Sequence, residues 1–112
     1  MTSRRVDDEA LIPQACRWHD LAEAHLAGGR HREAIPAARR AVSLLERACG
    51  RRHPDVANVL GCLGHGWLAS GDVVRSSRCF RRAWAILAPL RGDETISLLR
   101  SVALGNLGAL HQ

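Results

Sequence analysis

Apolar residues recur along this chain with the spacing of helices. Leu60, Leu63 and Trp67 stand at i, i+3 and i+7, a series that belongs to one face of a helix and not to a strand. Comparable series lie on either side, separated by breaks that contain glycine or proline. The pattern predicts five helices, at 10–27, 30–48, 54–69, 73–89 and 95–111.

The breaks carry specific signals for ending and starting helices. Gly28-Gly29 and Gly71 can supply the left-handed residue that closes a helix, and Asp72 is well placed to cap the next one. Pro54 stands where a helix can begin, since its missing N–H does no harm there. Because these turns are short, consecutive helices should fold back as antiparallel pairs.

The chain also repeats itself. A shift of 42 residues aligns 17–50 with 59–92. Nine positions then coincide: Leu21/Leu63, Leu26/Leu68, Ala27/Ala69, Gly29/Gly71, Arg39/Arg81, Arg40/Arg82, Ala41/Ala83, Leu45/Leu87 and Gly50/Gly92. A third copy starts at Leu104-Gly105-Asn106-Leu107-Gly108, which echoes Leu60-Gly61-Cys62-Leu63-Gly64. Duplication predicts that paired residues such as Leu21 and Leu63 occupy equivalent environments.

The repeated unit resembles the tetratricopeptide repeat. The first copy reads Trp18…Leu21-Ala22…Gly29…Ala34…Ala41, and the second reads Leu60…Leu63-Gly64…Trp67…Gly71…Phe80…Ala83. The 42-residue spacing is similar to the kinesin-light-chain-type variant. The resemblance implies an all-α, right-handed superhelical stack of antiparallel helix pairs. One domain would span 1–112, with repeats at about 10–50 and 51–92 and a half repeat at 93–112.

The resemblance also implies a concave groove, lined by the first helix of each pair, that binds a peptide or a partner helix. The groove positions are Cys16, His19, Glu23, Asn58, Gly61, His65, Val102, Gly105 and Ala109. The glycines among them would let a ligand approach the backbone closely. The alternative interpretation is that these side chains are simply solvated.

The predicted last helix is apolar nearly all round. Between Thr95 and Gln112 the only charged residue is Arg100. A terminal helix without a covering neighbour is normally polar on its outer side, so we expect this one to be covered. A second copy, a partner protein or further repeats could cover it, and self-association is the preferred form. The residues assigned to this contact are Ile96, Leu99, Val102, Leu107 and Leu110.

Charge introduces a competing function. All 16 basic residues are arginine, and the net charge is +5. They concentrate in the predicted second and fourth helices and just after them: Arg39, Arg40, Arg47, Arg51, Arg52, Arg75, Arg78, Arg81, Arg82 and Arg91. Arg75, Arg78 and Arg82 share one helix face and could track the phosphates of a nucleic acid. A solvated outer face is the favoured interpretation of this pattern.

Other chemistry is less supported by the sequence. Cys16-x-x-His19 and Cys62-x-x-His65 have zinc-ligand spacing on a helix, but the tight turns with paired cysteines that zinc sites favour are missing. No phosphate-binding loop and no nucleophile beside an oriented base are recognisable, so neither enzymatic activity nor a cofactor is expected. Metal binding remains a remote alternative.

The sequence gives no sign of a membrane protein. Charges interrupt every apolar segment well before the roughly 20 residues that a membrane-spanning helix needs. The first residues are basic and then acidic, where a signal peptide would be apolar. We therefore expect a cytoplasmic protein whose four cysteines are reduced.

Overall fold

The computed structural model describes residues 10–110, which form five α-helices and no strand. They are α1 (Leu11–Ala27), α2 (His31–Cys49), α3 (Pro54–Ala69), α4 (Val73–Leu87) and α5 (Glu94–Ala109). These bounds differ from the predicted ones by at most two residues, so the all-α prediction is confirmed. Residue 111, the predicted end of the last helix, lies outside the described residues.

The helix ends use the predicted local chemistry. Gly29, Gly50 and Gly71 close the first three helices with φ of 75°, 90° and 89°, a conformation that costs glycine little. The Asp72 carboxylate accepts a hydrogen bond of 2.9 Å from the backbone N–H three residues on and so caps α4. Asp93 caps α5 in the same way. Strong local signals thus fix where the chain turns.

Consecutive helices pack as antiparallel neighbours, and α3 lies at the centre. Gly66 near the end of α3 adjoins Ile35 near the start of α2, while Ser76 near the start of α4 bonds to Gly64 of α3. The α3 helix contacts all four others, whereas α2 and α4 make no close backbone contact with each other. Helices α1, α3 and α5 therefore form one row, and an open furrow separates α2 from α4.

The core is built where α3 meets α2 and α4. Val56 and Val59 of α3 and Phe80 and Leu87 of α4 are the largest apolar side chains buried almost completely. Complete burial of side chains of this size contributes about 1.5–3 kcal/mol each. The α2 helix faces this core largely with alanines, which let the helices approach closely.

The two repeats are not equally covered. Leu21 of α1 is 42% exposed, whereas its counterpart Leu63 is only 8% exposed. The expectation of equivalent environments is therefore wrong for this pair. Leu63 lies in the cleft formed with α2 and α4, but no described helix precedes α1 to cover Leu21. The two sequence copies thus have the same order of helices, but their helices have different neighbours.

Candidate functional site

The predicted groove has three positions on α1, and two of them, His19 and Glu23, lie close together. Cys16 and Glu23 are exposed, and His19 is mostly buried. His19 Nε2 lies 3.0 Å from Glu23 Oε1, but the nitrogen is shielded from solvent and its alignment makes no hydrogen bond. Of these three positions, only Glu23 therefore presents an exposed charged group.

On α3, two of the three groove positions are already engaged by α5. His65 Nε2 lies 2.9 Å from Asn106 Oδ1, a hydrogen bond that joins the two helices. A Cβ atom on the buried Gly61 would come within 3.3 Å of the Asn106 amide nitrogen. Only Asn58 and the outer part of His65 remain exposed. The α3 part of the groove is therefore partly filled by the protein itself.

Asn106 is a site residue that sequence reasoning missed. It is 9% exposed and takes part in the only hydrogen bond between side chains that joins α3 to α5 among the described residues. The available signal was one amide in the C-terminal half of α5, at 102–109, which is otherwise apolar and glycine-rich, since a polar group in such a setting usually has a partner. The remaining groove positions are Val102 and Gly105, which are exposed, and Ala109, which is partly buried.

The residues assigned to self-association divide between the core and the surface. Leu99 packs against the core, and Ile96, Leu107 and Leu110 are also partly buried, so of this set only Val102 is exposed, at 50%. Two further leucines of α5 are more exposed, Leu98 at 65% and Leu104 at 53%. The surface of α5 that faces solvent is thus apolar, but it is formed mainly by other residues than those predicted.

Two glycines add to this surface. Gly64 of α3 is packed against the Phe80 ring so tightly that a Cβ atom would have no room. Gly108, its counterpart in the repeated motif, has no heavy atom within 4 Å of the place where a Cβ would stand, and Gly105 is equally open. The same Leu-Gly-x-Leu-Gly sequence is therefore filled by a neighbouring helix on α3 and unfilled on α5.

A second candidate surface is the furrow between α2 and α4, with a central recess of about 330 Å³. Apolar residues and Cys79 line its floor, and arginines stand along its rim. The rim residues, taken along the whole furrow, are Arg39, Arg51, Arg52, Arg75, Arg78 and Arg82. The predicted arginine stripe of α4 thus lies here, joined by arginines from α2 and from the turn that follows it.

Two carboxylates partly neutralise this furrow. Glu46 Oε2 lies 2.8 Å from Arg82 Nη2 and 3.1 Å from Arg51 Nε. Asp72 pairs with Arg75, whose guanidinium also stacks over the Trp67 ring at 4.8 Å. These contacts hold both ends of the furrow, and the arginines between them face solvent.

Cys79 lines the central recess of this furrow. Burial raises the pKa of this thiol, and the nearby guanidinium groups of Arg82 and Arg39 lower it in part. Arg39 of α2 and Cys79 of α4 line the same recess, so they stand on opposite sides of the furrow. A ligand in this recess would therefore contact residues of both helices.

The two Cys-x-x-His pairs, which carried the remote alternative of metal binding, are not joined by further ligands in the described part of the chain. Among the described residues, no group of three or more His, Cys, Asp or Glu side chains could hold a metal ion. Burial, and to a lesser extent Glu23, raises the pKa of Cys62 from 9.0 to about 11, so this residue stays a thiol at neutral pH. Its nominal partner His65 is bonded to Asn106 instead.

This thiol leads to a first prediction. At pH 8, iodoacetamide should modify the exposed Cys16 at least about tenfold faster than the buried Cys62, since only the thiolate reacts. The unfolded chain should lose the Cys62 proton first, so stability should fall as the pH rises from about 9 through about 11. Peptide mapping by mass spectrometry measures the modification rates of Cys16 and Cys62. Equal modification of the two thiols in the folded protein would contradict the burial of Cys62.

No protein-family model matches the sequence. Within the described part of the chain, no helix is both long enough and apolar enough to cross a membrane.

Proposed function

We propose that this protein is a helical interaction module of the tetratricopeptide type, a right-handed stack that binds a partner helix on the outer side of α5. The binding surface, here termed the open face, consists of Leu98, Ser101, Leu104, Gly105 and Gly108. These positions recur at i, i+3, i+6, i+7 and i+10, so they share one side of α5, and all are exposed. The proposal depends on one observation, that Gly108 is unfilled where Gly64 is filled.

Helix α3 indicates what such a face accepts. Phe80 of α4 lies against Gly64, and the Ser76 hydroxyl, four residues earlier, donates a hydrogen bond of 2.9 Å to the Gly64 carbonyl. An aromatic ring over Gly64 and a hydroxyl on its carbonyl are thus two contacts that α4 makes with the motif. We infer that the partner is an amphipathic helix that carries the same pair at i and i+4.

The open face is favoured over the concave groove for a physical reason. His65 and Gly61 already contact Asn106, so a ligand in that part of the groove would have to displace a hydrogen bond within the protein. The open face has no such competitor among the described residues. Exposed leucines beside exposed glycines also give a partner both apolar area and close approach.

A peptide from the chain itself is the sharpest probe. A fluorescein-labelled peptide of residues 72–88 contains α4 with its Ser76 and Phe80, and its binding to the full chain can be followed by fluorescence anisotropy. We expect saturable binding, and at least about tenfold weaker binding when Phe80 of the peptide is replaced by alanine, because aromatic anchors dominate such contacts. Gly108→Leu in the protein should weaken binding by a similar factor because it fills the site.

The matched control is Ala24→Leu, which also adds a leucine at an exposed helical position, but on α1. This variant should bind the peptide as well as the original protein does. Undiminished binding to Gly108→Leu would mean that the peptide occupies another surface, and the proposal would then be wrong. Sedimentation of the protein without peptide tests whether a second copy of the chain covers the open face instead. A dimer that Gly108→Leu abolishes would show that it does.

A further inference from the structure

The furrow between α2 and α4 contains three neighbouring recesses. Its central recess shares Arg39 and Arg78 with the recess on one side and Arg82 with the recess on the other. The three together run along the exposed side of α4, from Arg75 to Arg51 at the end of α2. A ligand longer than a single ion can therefore contact several guanidinium groups at once.

The protein itself shows which anion fits these arginines. A single carboxylate, that of Glu46, is held by Arg82 and Arg51 at the end of the central recess. Arg39 and Arg78 line the same recess, yet neither has a carboxylate partner among the described residues. Arginine is well suited to recognise carboxylates because its planar group donates several hydrogen bonds. The central recess thus has room and charge for a further carboxylate.

The floor of the recess decides between classes of anionic ligand. It is formed by Val42, Leu60 and Leu63, with Cys79 on one side. A nucleic acid strand would gain little from such a floor, because it needs aromatic faces on which bases stack. The Trp67 ring, which lines the neighbouring recess, already has the Arg75 guanidinium over one face. A peptide can place an aliphatic side chain on the floor while its carboxylates meet the rim. The volume of about 330 Å³ is enough for such a side chain.

We infer that the furrow binds an acidic peptide segment in which a leucine-like residue is flanked by glutamate or aspartate. The apolar side chain lies over Leu60 and Leu63, and the flanking carboxylates pair with Arg39 and Arg78. This site uses α2, α3 and α4 and does not depend on the open face of α5. The two proposals can therefore fail separately.

The probe is a labelled nine-residue peptide in which leucine alternates with glutamate, tested with the full chain by fluorescence anisotropy. We expect saturable binding that weakens as salt rises, since carboxylates and guanidinium groups are screened. The double variant Arg39→Gln/Arg78→Gln should weaken binding about tenfold or more. Bound peptide should also slow the modification of Cys79 by N-ethylmaleimide, and this locates the peptide in the furrow.

The matched control, Arg17→Gln/Arg91→Gln, removes the same net charge from exposed positions outside the furrow, so it should bind like the original protein. Two altered peptides separate the contributions. Glutamine in place of glutamate should abolish binding, and serine in place of leucine should weaken it.

Three results would overturn the inference. One is an equal loss in both double variants, which would indicate net charge alone. Another is unchanged reactivity of Cys79 in the presence of saturating peptide. The third is tighter binding of oligothymidylate through Arg39 and Arg78, which the acidic peptide fails to displace. That result would assign the furrow to nucleic acid.

Discussion

Replacing Phe80 with alanine is expected to lower the free energy of unfolding by about 3–5 kcal/mol, a large fraction of what a domain of this size has. The ring is fully buried and lies against Gly64, and it packs edge-to-face with the His65 imidazole at a centroid distance of 5.3 Å. Its removal leaves a cavity between α3 and α4 that the alanine cannot fill. Urea denaturation followed by circular dichroism at 222 nm measures the change.

Two further variants make this result interpretable. Phe80→Leu keeps part of the apolar volume and should cost less than the alanine variant. Val74→Ala truncates an apolar side chain of the same helix that is 64% exposed, so its effect should stay within about 0.5 kcal/mol. A Phe80→Ala protein as stable as Val74→Ala would show that α4 does not pack on α3 as described.

The helices themselves were predictable because their signals are local. The i, i+3, i+7 spacing of apolar residues, the left-handed glycines and the Asp72 cap each act within one or two turns of the chain. Such signals do not require knowledge of distant neighbours. This explains why all five helices agree with the predicted bounds to within two residues.

The surfaces were harder to predict because they depend on which helix covers which. Leu21 and Leu63 are identical in type and in repeat position, yet only one has neighbours on its outer side. Leu99 and Leu98 are adjacent leucines, and the fold buries the first partly while exposing the second. A single sequence offers the apolar pattern of a helix but not the set of partners around it.

Contacts between residues far apart in the chain also could not be predicted from the sequence. His65 meets Asn106 across 41 positions, and Glu46 meets Arg82 across 36. The arginine stripe of α4 was visible as a pattern, but its position opposite Arg39 and above an apolar floor follows only from the packing of α2 and α4 on α3. Because of this position, the arginines form the rim of a furrow whose floor is apolar.

The repeated glycines give the last prediction, in which one substitution has opposite effects at two equivalent positions. Gly64→Ala should destabilise the fold by about 1–2 kcal/mol, because the new methyl group must displace the buried Phe80 ring and the cost of overpacking exceeds the gain in helix propensity. Gly108→Ala should stabilise it by up to about 1 kcal/mol, because the same methyl group enters open space on α5. Urea denaturation of both variants measures the difference.

A double variant tests the cause at Gly64. If the clash with Phe80 is responsible, Gly64→Ala should cost less in a Phe80→Leu background, where the side chain is smaller and more flexible, so the two effects should not add. Additive effects, or equal changes at Gly64 and Gly108, would rule out the proposed difference in coverage. A Gly108→Ala protein that is more stable yet binds the 72–88 peptide less well would link the two properties, because the glycine then lowers helix stability while leaving room for a partner.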